Sequence, residues 1–297
     1  MEVFLSQLFI GLSVASMLLL VALGLTFTFG QMNVINMAHG EFVMAGAYTT
    51  YVLQTSVFGA GAATLAFGLS LPLAFLVGGA LGLILELTLI RRLHGRPLDT
   101  LLVTWGVSLM LQQLARDIFG APNVQVKAPS FLEGGVTVAG VSMPYTRLFI
   151  IGLVVVALIA IWLCLSKLPA GRRMRAVVQN RDLAAASGVR TPRVDRLTFF
   201  IGSGLAGVAG VAVTLLGSIG PTLGTNYIID AFLVVIVGGL GQLRGAIVAA
   251  IALGLANAYL EYWTDASLAK AAVFALIVVF LQFRPQGLVV TRRRGLA

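Results

Sequence analysis

Three polar side chains that could take part in solute recognition lie close together in a stretch that is otherwise apolar. Asn36, His39 and Glu41 stand between two long hydrophobic runs. An ionisable residue in such surroundings is a candidate for direct contact with a transported solute. Alternatively, Glu41 only complements the N-terminus of a half-helix, and His39 only hydrogen-bonds a nearby backbone group. The sequence leaves both interpretations open.

A second polar group lies in the apolar run 98–119. Thr104, Trp105, Ser108 and Gln112 recur at helical spacing, so we expect them to share one face of a helix. A polar stripe on a helix in lipid must face protein or water. These residues therefore either contact another helix or line a path for a solute. Asp230 and Glu86 are further acidic residues in apolar sequence. Each is either a path residue or a structural carboxylate, and we include Asp230 with the path.

Other chemistry is not expected. The sequence has two histidines and one cysteine, Cys164, in separate stretches, so no zinc site is predicted. It contains neither the Gly-x-x-x-x-Gly-Lys-Ser/Thr phosphate loop nor a nucleophile elbow. We therefore expect no cofactor, no metal and no catalytic residue, and a chain that is not itself an enzyme.

The composition is that of a membrane protein. Of 297 residues, 59% are hydrophobic and 10% charged, whereas soluble domains carry roughly 25% charged residues. The net charge of +9 comes from basic residues that cluster beside apolar runs. That pattern orients spans in a membrane and does not predict nucleic-acid binding. We expect a multi-pass protein of the bacterial inner membrane.

We predict an all-α polytopic fold, with residues 1–297 as one transmembrane domain of about eight or nine spans, some broken or re-entrant. The predicted spans are 5–29, 37–58, 62–90, 98–119, 148–168, 197–219, 226–237, 245–262 and 268–283. Residues 121–145 are expected to form an outer loop with short β-like pieces. The small residues of the sixth span predict close packing on both of its sides.

Glycines and polar residues interrupt the apolar sequence at 30–41 and again at 238–245. Non-helical backbone at membrane depth is tolerated only where protein or a watery cavity covers it. Paired breaks in the two halves of a transporter are a sequence signature of the translocation path. We therefore expect one broken helix in each half of the chain.

The stretch 169–196 differs from the rest because it is rich in arginine. Its arginines are Arg172, Arg173, Arg175, Arg181, Arg190, Arg193 and Arg196. This excess places the loop in the cytoplasm, together with the basic C-terminus that includes Arg292, Arg293 and Arg294. Counting spans from these loops puts the N-terminus outside.

The same loop has the pattern of a short capped helix. Asn180 can cap a helix over 181–187, and Asp182 is favourably placed in its first turn. Gly188 can supply the left-handed residue that ends it, so that Val189 folds back onto Ala184. A helix of about two turns is not stable alone in water. We expect it to dock on another protein.

These motifs resemble those of branched-chain amino acid type ABC importer permeases, over nearly the whole chain. The resemblance includes Asn36-Met37-Ala38-His39-Gly40-Glu41, the loop helix and the glycine block at 238–245. Five segments are similar, more narrowly, to the urea branch of that family: 98–108, 175–181, 226–230, 238–245 and 284–288.

The resemblance implies a set of partners: a second homologous permease, two cytoplasmic ATPase subunits and a solute-binding protein outside, within membrane lipid. It also implies that the loop helix docks on the ATPases, through a segment that matches the family's Glu-Ala-Ala-x-x-x-Gly pattern in part. Asp182 replaces the glutamate and Leu183 the first alanine. The residues expected to carry the contact are Asn180, Asp182, Ala184, Ala185 and Gly188.

The polar residues inside the predicted spans are mostly uncharged, which suits urea, a small neutral solute. A permease for branched-chain amino acids or for short amides is the alternative within the class, because half-helix ends can receive a zwitterion. A stand-alone channel or a secondary transporter is the alternative from another class. The loop helix argues against it, since a channel has no use for a docking segment.

Overall fold

The computed structural model of the chain describes residues 2–93, 95–138 and 140–289. Within these ranges the structure consists of α-helices, a few single turns of other helix types and one two-stranded hairpin, which confirms the predicted all-α polytopic class. The predicted basic tail at 292–294 lies outside the described residues.

The helices follow one another with short connections. In chain order they are α1 (Glu2–Met32), α2 (His39–Val52), α3 (Ala63–Thr88), α4 (Pro97–Phe119), α5 (Tyr145–Lys167), α6 (Pro169–Gln179), α7 (Arg181–Ala186), α8 (Thr191–Val213), α9 (Leu223–Gly238), α10 (Leu243–Trp263) and α11 (Ala266–Phe283). Strands β1 (Gly135–Val138) and β2 (Val141–Pro144) form an antiparallel hairpin, with Val136 opposite Met143. This hairpin lies in the loop that was expected to be β-like.

Among the described residues, six helices are long and apolar enough to cross a membrane: α1, α3 extended to Arg92, α5, α8, α10 and α11. The remaining predicted spans also contain helices, but α2 and α9 have only 14 and 16 residues. The α-helical part of α2 therefore reaches about 21 Å and is extended by a π-helical turn at Leu53–Val57, while α9 reaches about 24 Å; a hydrocarbon core is roughly 30 Å thick. Helix α4 has 23 residues and carries the polar stripe.

The sixth predicted span is displaced along the sequence. Helix α8 begins at Thr191, where Pro192 occupies the first turn, and it ends at Val213 rather than at Ile219. Gly217, Gly220 and Pro221 follow in the non-helical segment 214–222. Because these residue types favour turns over helix, the chain leaves the helix early and starts α9 as a new, short helix.

Helix α8 forms the centre of the bundle and packs against α1, α2 and α3. Its small residues allow backbones to touch. A Cβ added to Gly46 of α2 would lie 2.0 Å from the carbonyl oxygen of Gly207, and a Cβ added to Gly210 would lie 2.0 Å from the carbonyl oxygen of Val43. Gly202 meets Gly24 of α1 in the same way. Close packing on more than one side of this helix is therefore confirmed, and its physical basis is the absence of side chains at these crossings.

We expect Gly207→Leu to prevent the bundle from assembling, because a Cβ at this position would lie 2.0 Å from the carbonyl oxygen of Ala74. Overpacking of this kind costs typically 1–3 kcal/mol and more where backbone must move. The measurement is the yield of monodisperse protein extracted from membranes.

The matched control is Gly68→Leu in α3, where an added Cβ meets nothing within 4 Å. This variant should be extracted like the wild type. Equal yields from both variants would contradict the packing argument.

Candidate functional site

The predicted break after the first span is present. Helix α1 ends at Met32, Asn33 adopts a left-handed φ of 56°, and the chain is non-helical up to the start of α2 at His39. Two side chains satisfy backbone groups in this segment. Asn36 Oδ1 accepts from Ala38 N at 3.1 Å, and Thr104 Oγ1 of α4 accepts from Met37 N at 3.0 Å. The break is thus covered by protein, as its depth requires.

Glu41 is the centre of a buried polar cluster between α2 and α4. Its Oε1 accepts hydrogen bonds from Ser108 Oγ and from Gln112 Nε2, each at 2.9 Å. Gln112 Nε2 also lies 3.0 Å from Thr225 Oγ1 at the start of α9. Glu41 is only 1% exposed. Thr104, Ser108 and Gln112, three of the four polar residues predicted to share one face of α4, do so, and that face lies against the start of α2.

Thr225 and the glycines beside it were missed by the sequence interpretation. A Cβ on Gly224 would lie 2.7 Å from Glu41 Oε2, and one on Gly40 2.3 Å from the carbonyl oxygen of Gly224. These two glycines bring the N-terminal ends of α2 and α9 together. The Gly-Pro-Thr-Leu-Gly-Thr run at 220–225 was the available signal, since it interrupts apolar sequence much as 30–41 does.

Two polar atoms of the cluster region have no hydrogen-bond partner within the described chain. They are Glu41 Oε2, an acceptor, and Asn36 Nδ2, a donor, both fully buried. A buried polar atom without a partner costs about 1–3 kcal/mol, which makes such atoms candidates for contact with a ligand. Gln31 Oε1 and His39 Nδ1 of the same interrupted stretch are also buried without a partner among the described residues, so Asn36 Nδ2 and Glu41 Oε2 are the donor and the acceptor nearest the cluster that a solute would satisfy.

His39 points away from this cluster. Its Nε2 lies 3.1 Å from the carbonyl oxygen of Val21 in α1, and its ring makes an edge contact with Phe42. These contacts fit the alternative in which His39 only hydrogen-bonds a backbone group. They attach the start of α2 to α1. Its Nδ1 has no partner among the described residues.

Two predicted path residues lie elsewhere. Trp105 is 53% exposed on the outer side of α4, because one residue further along a helix turns the side chain by about 100°; grouping it with Thr104 was wrong. Asp230 faces Lys270 of α11 at 4.0 Å and lines a separate cavity of about 70 Å³ that also includes Asn257. It does not join the Glu41 cluster.

The second predicted break is present but lies away from Glu41. Residues 239–242 separate α9 from α10, and a Cβ on Gly30 would lie 2.6 Å from the carbonyl oxygen of Gly241. The segment 286–289 covers this turn, with Leu288 N donating to Val237 O at 2.8 Å. Fourteen residues of α9 lie between this turn and Gly224, about 21 Å along the helix. The polar end of the first break, at Glu41, therefore meets the segment before α9, while its first residue, Gly30, meets the second break.

The loop helix is also present, as α7. Asn180 Oδ1 accepts from Leu183 N at 2.9 Å, which confirms the predicted cap. Gly188 has a φ of 85°, Gly188 N donates to Ala185 O, and Val189 N donates to Ala184 O, both at 3.0 Å. This is a Schellman ending. The helix is one residue shorter than predicted, because Ser187 is its C-cap.

One ion pair attaches α7 to α8, and a second attaches α8 to α3. Arg181 binds Asp195 of α8 with both guanidinium nitrogens, at 3.2 and 2.5 Å. The next residue, Arg196, lies 3.9 Å from Glu86 of α3. Asp195 and Glu86 are buried. Helix α7 is thus fixed to α8 by a bidentate pair, and α8 in turn to α3, while Asp182, Leu183 and Ala185 remain exposed.

An apolar helical bundle with a polar cluster at a broken segment, and with a short capped helix in a basic loop, is the architecture of a membrane permease. Residues 7–281 match the family model described as "Branched-chain amino acid transport system / permease component". The chain therefore belongs to the branched-chain amino acid type of ABC importer permeases.

Individual relatives agree with this assignment. The chain is 29% identical to the high-affinity branched-chain amino acid transport system permease protein BraD of Pseudomonas aeruginosa, over 96% of this chain and 95% of that protein. It is 28% identical to LivH of Escherichia coli K12 over the same shares. It is 27% identical to LivM of Salmonella typhimurium, over 91% of this chain and 67% of LivM. No solved structure matches the chain. The predicted family is confirmed, and the urea branch stays a prediction.

We expect Glu41→Gln to reduce uptake at least about tenfold while the protein still assembles. Oε1 still accepts from Ser108 and Gln112, so what is lost is the charge and the free acceptor. A hydrogen bond to a charged group contributes roughly 1.5–3 kcal/mol. The measurement is initial uptake rate, normalised to the amount of assembled complex.

The charge-matched control is Glu261→Gln, at an exposed position near the end of α10, which should transport normally. Normal uptake by Glu41→Gln would remove Glu41 from the path. Poor assembly would assign it a structural role.

We expect Gly188→Val to separate ATP hydrolysis from uptake, or to prevent ATPase binding, while the spans still insert. A Cβ here meets nothing within 4 Å, so the penalty comes from the left-handed backbone alone. That penalty is about 1 kcal/mol or more for a β-branched residue. The measurements are co-purification of the ATPase subunits and uptake into vesicles.

Gly188→Asn is the control, because asparagine tolerates left-handed φ. It should retain more of both properties than the valine variant. Wild-type binding and transport in Gly188→Val would exclude this turn from coupling.

Proposed function

We propose that the chain is one of two different permease subunits of an ATP-driven importer, and that its solute is urea or a closely related short amide. The family supports the importer. The substrate is supported by one observation above all, the unpaired donor and acceptor at the broken segment, Asn36 Nδ2 and Glu41 Oε2.

Urea presents two N–H₂ groups and one carbonyl oxygen. A carboxylate oxygen accepts from an amide N–H, and an amide N–H donates to a carbonyl, so the two free atoms are of the hydrogen-bonding types that the two ends of urea require. The other side chains that contact Glu41 are Ser108 and Gln112, which are uncharged. No fixed cation is therefore needed, and none hydrogen-bonds Glu41 within the described residues.

A zwitterionic amino acid makes a different demand. Its carboxylate needs donors, and the first backbone N–H groups before α2 are already bonded to Asn36 and Thr104. Branched-chain amino acids nevertheless form the second candidate, because the relatives reported above carry that substrate in their names. In that case Glu41 would pair with the ammonium group.

The site is closed in this structure, since Glu41 and Asn36 are buried. Helix α4 packs chiefly on α2 and exposes apolar side chains such as Leu102 and Met110 on its other faces. We infer that α4 separates from α2 to admit the solute, and that a second permease lies beside it. The match to LivM as well as LivH supports a pair of related but different permeases.

The energy source is proposed to act through α7. Its exposed face receives the ATPase, and the Arg181–Asp195 pair transmits the movement to α8. Helix α8 contacts α2 through Gly207 and Gly210, and α2 carries Glu41. The arginines of 169–196 support placing this side of the bundle, and with it the C-terminus, in the cytoplasm. A solute-binding protein delivers the solute on the other side.

The experiment is uptake of radiolabelled urea by cells that carry the complete importer, compared with cells that lack only this chain. We expect uptake to require the chain and the ATPase subunits, and to persist in the presence of excess leucine and valine. Uptake of leucine but not of urea would establish the second candidate. Urea uptake that survives loss of the ATPases would indicate a stand-alone channel instead.

A further inference from the structure

A cavity of about 360 Å³ lies beside α7, at the level where α5 has ended and α8 begins. The first turn of α6, the turn that ends α7 and the first turns of α8 form its walls. Its lining residues are Ala170, Arg173, Met174, Ser187, Gly188, Val189, Arg190, Arg193, Val194 and Leu197. The path described above does not use this cavity, and the docking role shares only Gly188 of its lining, as the turn that ends α7.

Three arginines, Arg173, Arg190 and Arg193, contribute to the lining, and no acidic residue does. None of the three forms an ion pair within the described part of the chain. The arginines nearby differ in this respect, since Arg181 is paired with Asp195 and Arg196 with Glu86. The cavity therefore concentrates positive charge without an internal counter-ion, which favours an anionic ligand.

Apart from Ser187, the rest of the lining carries no polar side chain, and it lies where the apolar helix α8 begins. Met174 and Val194 are buried in the wall, and Leu197 is 39% exposed on α8, the helix that continues into the membrane. Leu168, between α5 and α6, is exposed too, at 51%. A ligand in the cavity would thus have its charge among arginines and an apolar portion against membrane-facing leucine.

We propose that this cavity binds the phosphodiester headgroup of an anionic phospholipid. Guanidinium groups pair with phosphate oxygens through two parallel hydrogen bonds, and basic pockets at the ends of membrane helices suit acidic headgroups. The proposal goes beyond the importer function and is independent of the substrate. Because Ser187 and Gly188 line the cavity, the bound lipid holds the end of α7 at the membrane surface.

The test uses the full-length permease in neutral detergent. Phosphatidylglycerol or phosphatidylcholine is added, and bound lipid is counted by native mass spectrometry. We expect preferential binding of phosphatidylglycerol, and an affinity at least about tenfold lower in the double variant Arg190→Gln/Arg193→Gln. Arg173→Gln alone should show a smaller loss, and it provides a second test should the double variant be unstable.

The control Arg92→Gln/Arg172→Gln removes the same charge from exposed positions outside the cavity. It should bind phosphatidylglycerol like the wild type. An equal loss in the control, or equal binding of the two lipids, would overturn the proposal. Displacement of the lipid by millimolar inorganic phosphate would also contradict the proposal, because it indicates a site for free anions. Displacement of the lipid by the ATPase subunits, together with weaker ATPase binding in the double variant, would contradict it as well, because it indicates a protein interface.

Discussion

Backbone contact along α8 is the interaction on which the rest of the bundle depends. In lipid there is little hydrophobic force between helices, so their association relies on close van der Waals packing and on hydrogen bonds. Glycines at 202, 207 and 210 provide that packing to three neighbours at once. Helices α1, α2 and α3 are each positioned against this one element. The position of the broken segment between α1 and α2 is fixed as a result.

The polar cluster and the loop helix are two ends of this arrangement. At one end, the glycine contacts between α8 and α2 set the depth of Glu41, and α4 closes over it with Ser108 and Gln112. At the other end, buried Asp195 holds α7 on the first turns of α8. Between the two sites runs a single, tightly packed helix rather than a series of loops. A displacement of α7 would therefore be carried by α8 as a rigid body.

Features with a local cause could be predicted from the sequence. The Asn180 cap, the left-handed Gly188 and the break before Glu41 each follow from residue types within a few positions. Features that depend on neighbours in space could not. The meeting of Gly40 with Gly224 depends on where α9 lies in space. The end of α8 at Val213, by contrast, had a local signal in Gly217, Gly220 and Pro221 that the predicted span 197–219 did not use. Trp105 was placed on the face of Thr104, Ser108 and Gln112 from helical spacing, although adjacent residues of a helix point about 100° apart. Asp230 was grouped with the path by depth alone, and its partner Lys270 lies in the last helix.

The meeting of α2 and α9 at Gly40 and Gly224 has an electrostatic consequence for what can cross. Both helices begin at this point, and each N-terminus carries about half a positive elementary charge. Together they offset the single negative charge of an ionised Glu41, which lies in the first turn of α2 and beside Gly224. On the path proposed above, this balance would leave the passage close to locally neutral, with little attraction for sodium ions or protons. A polar solute could then cross without an ion leak that discharges the membrane's gradient.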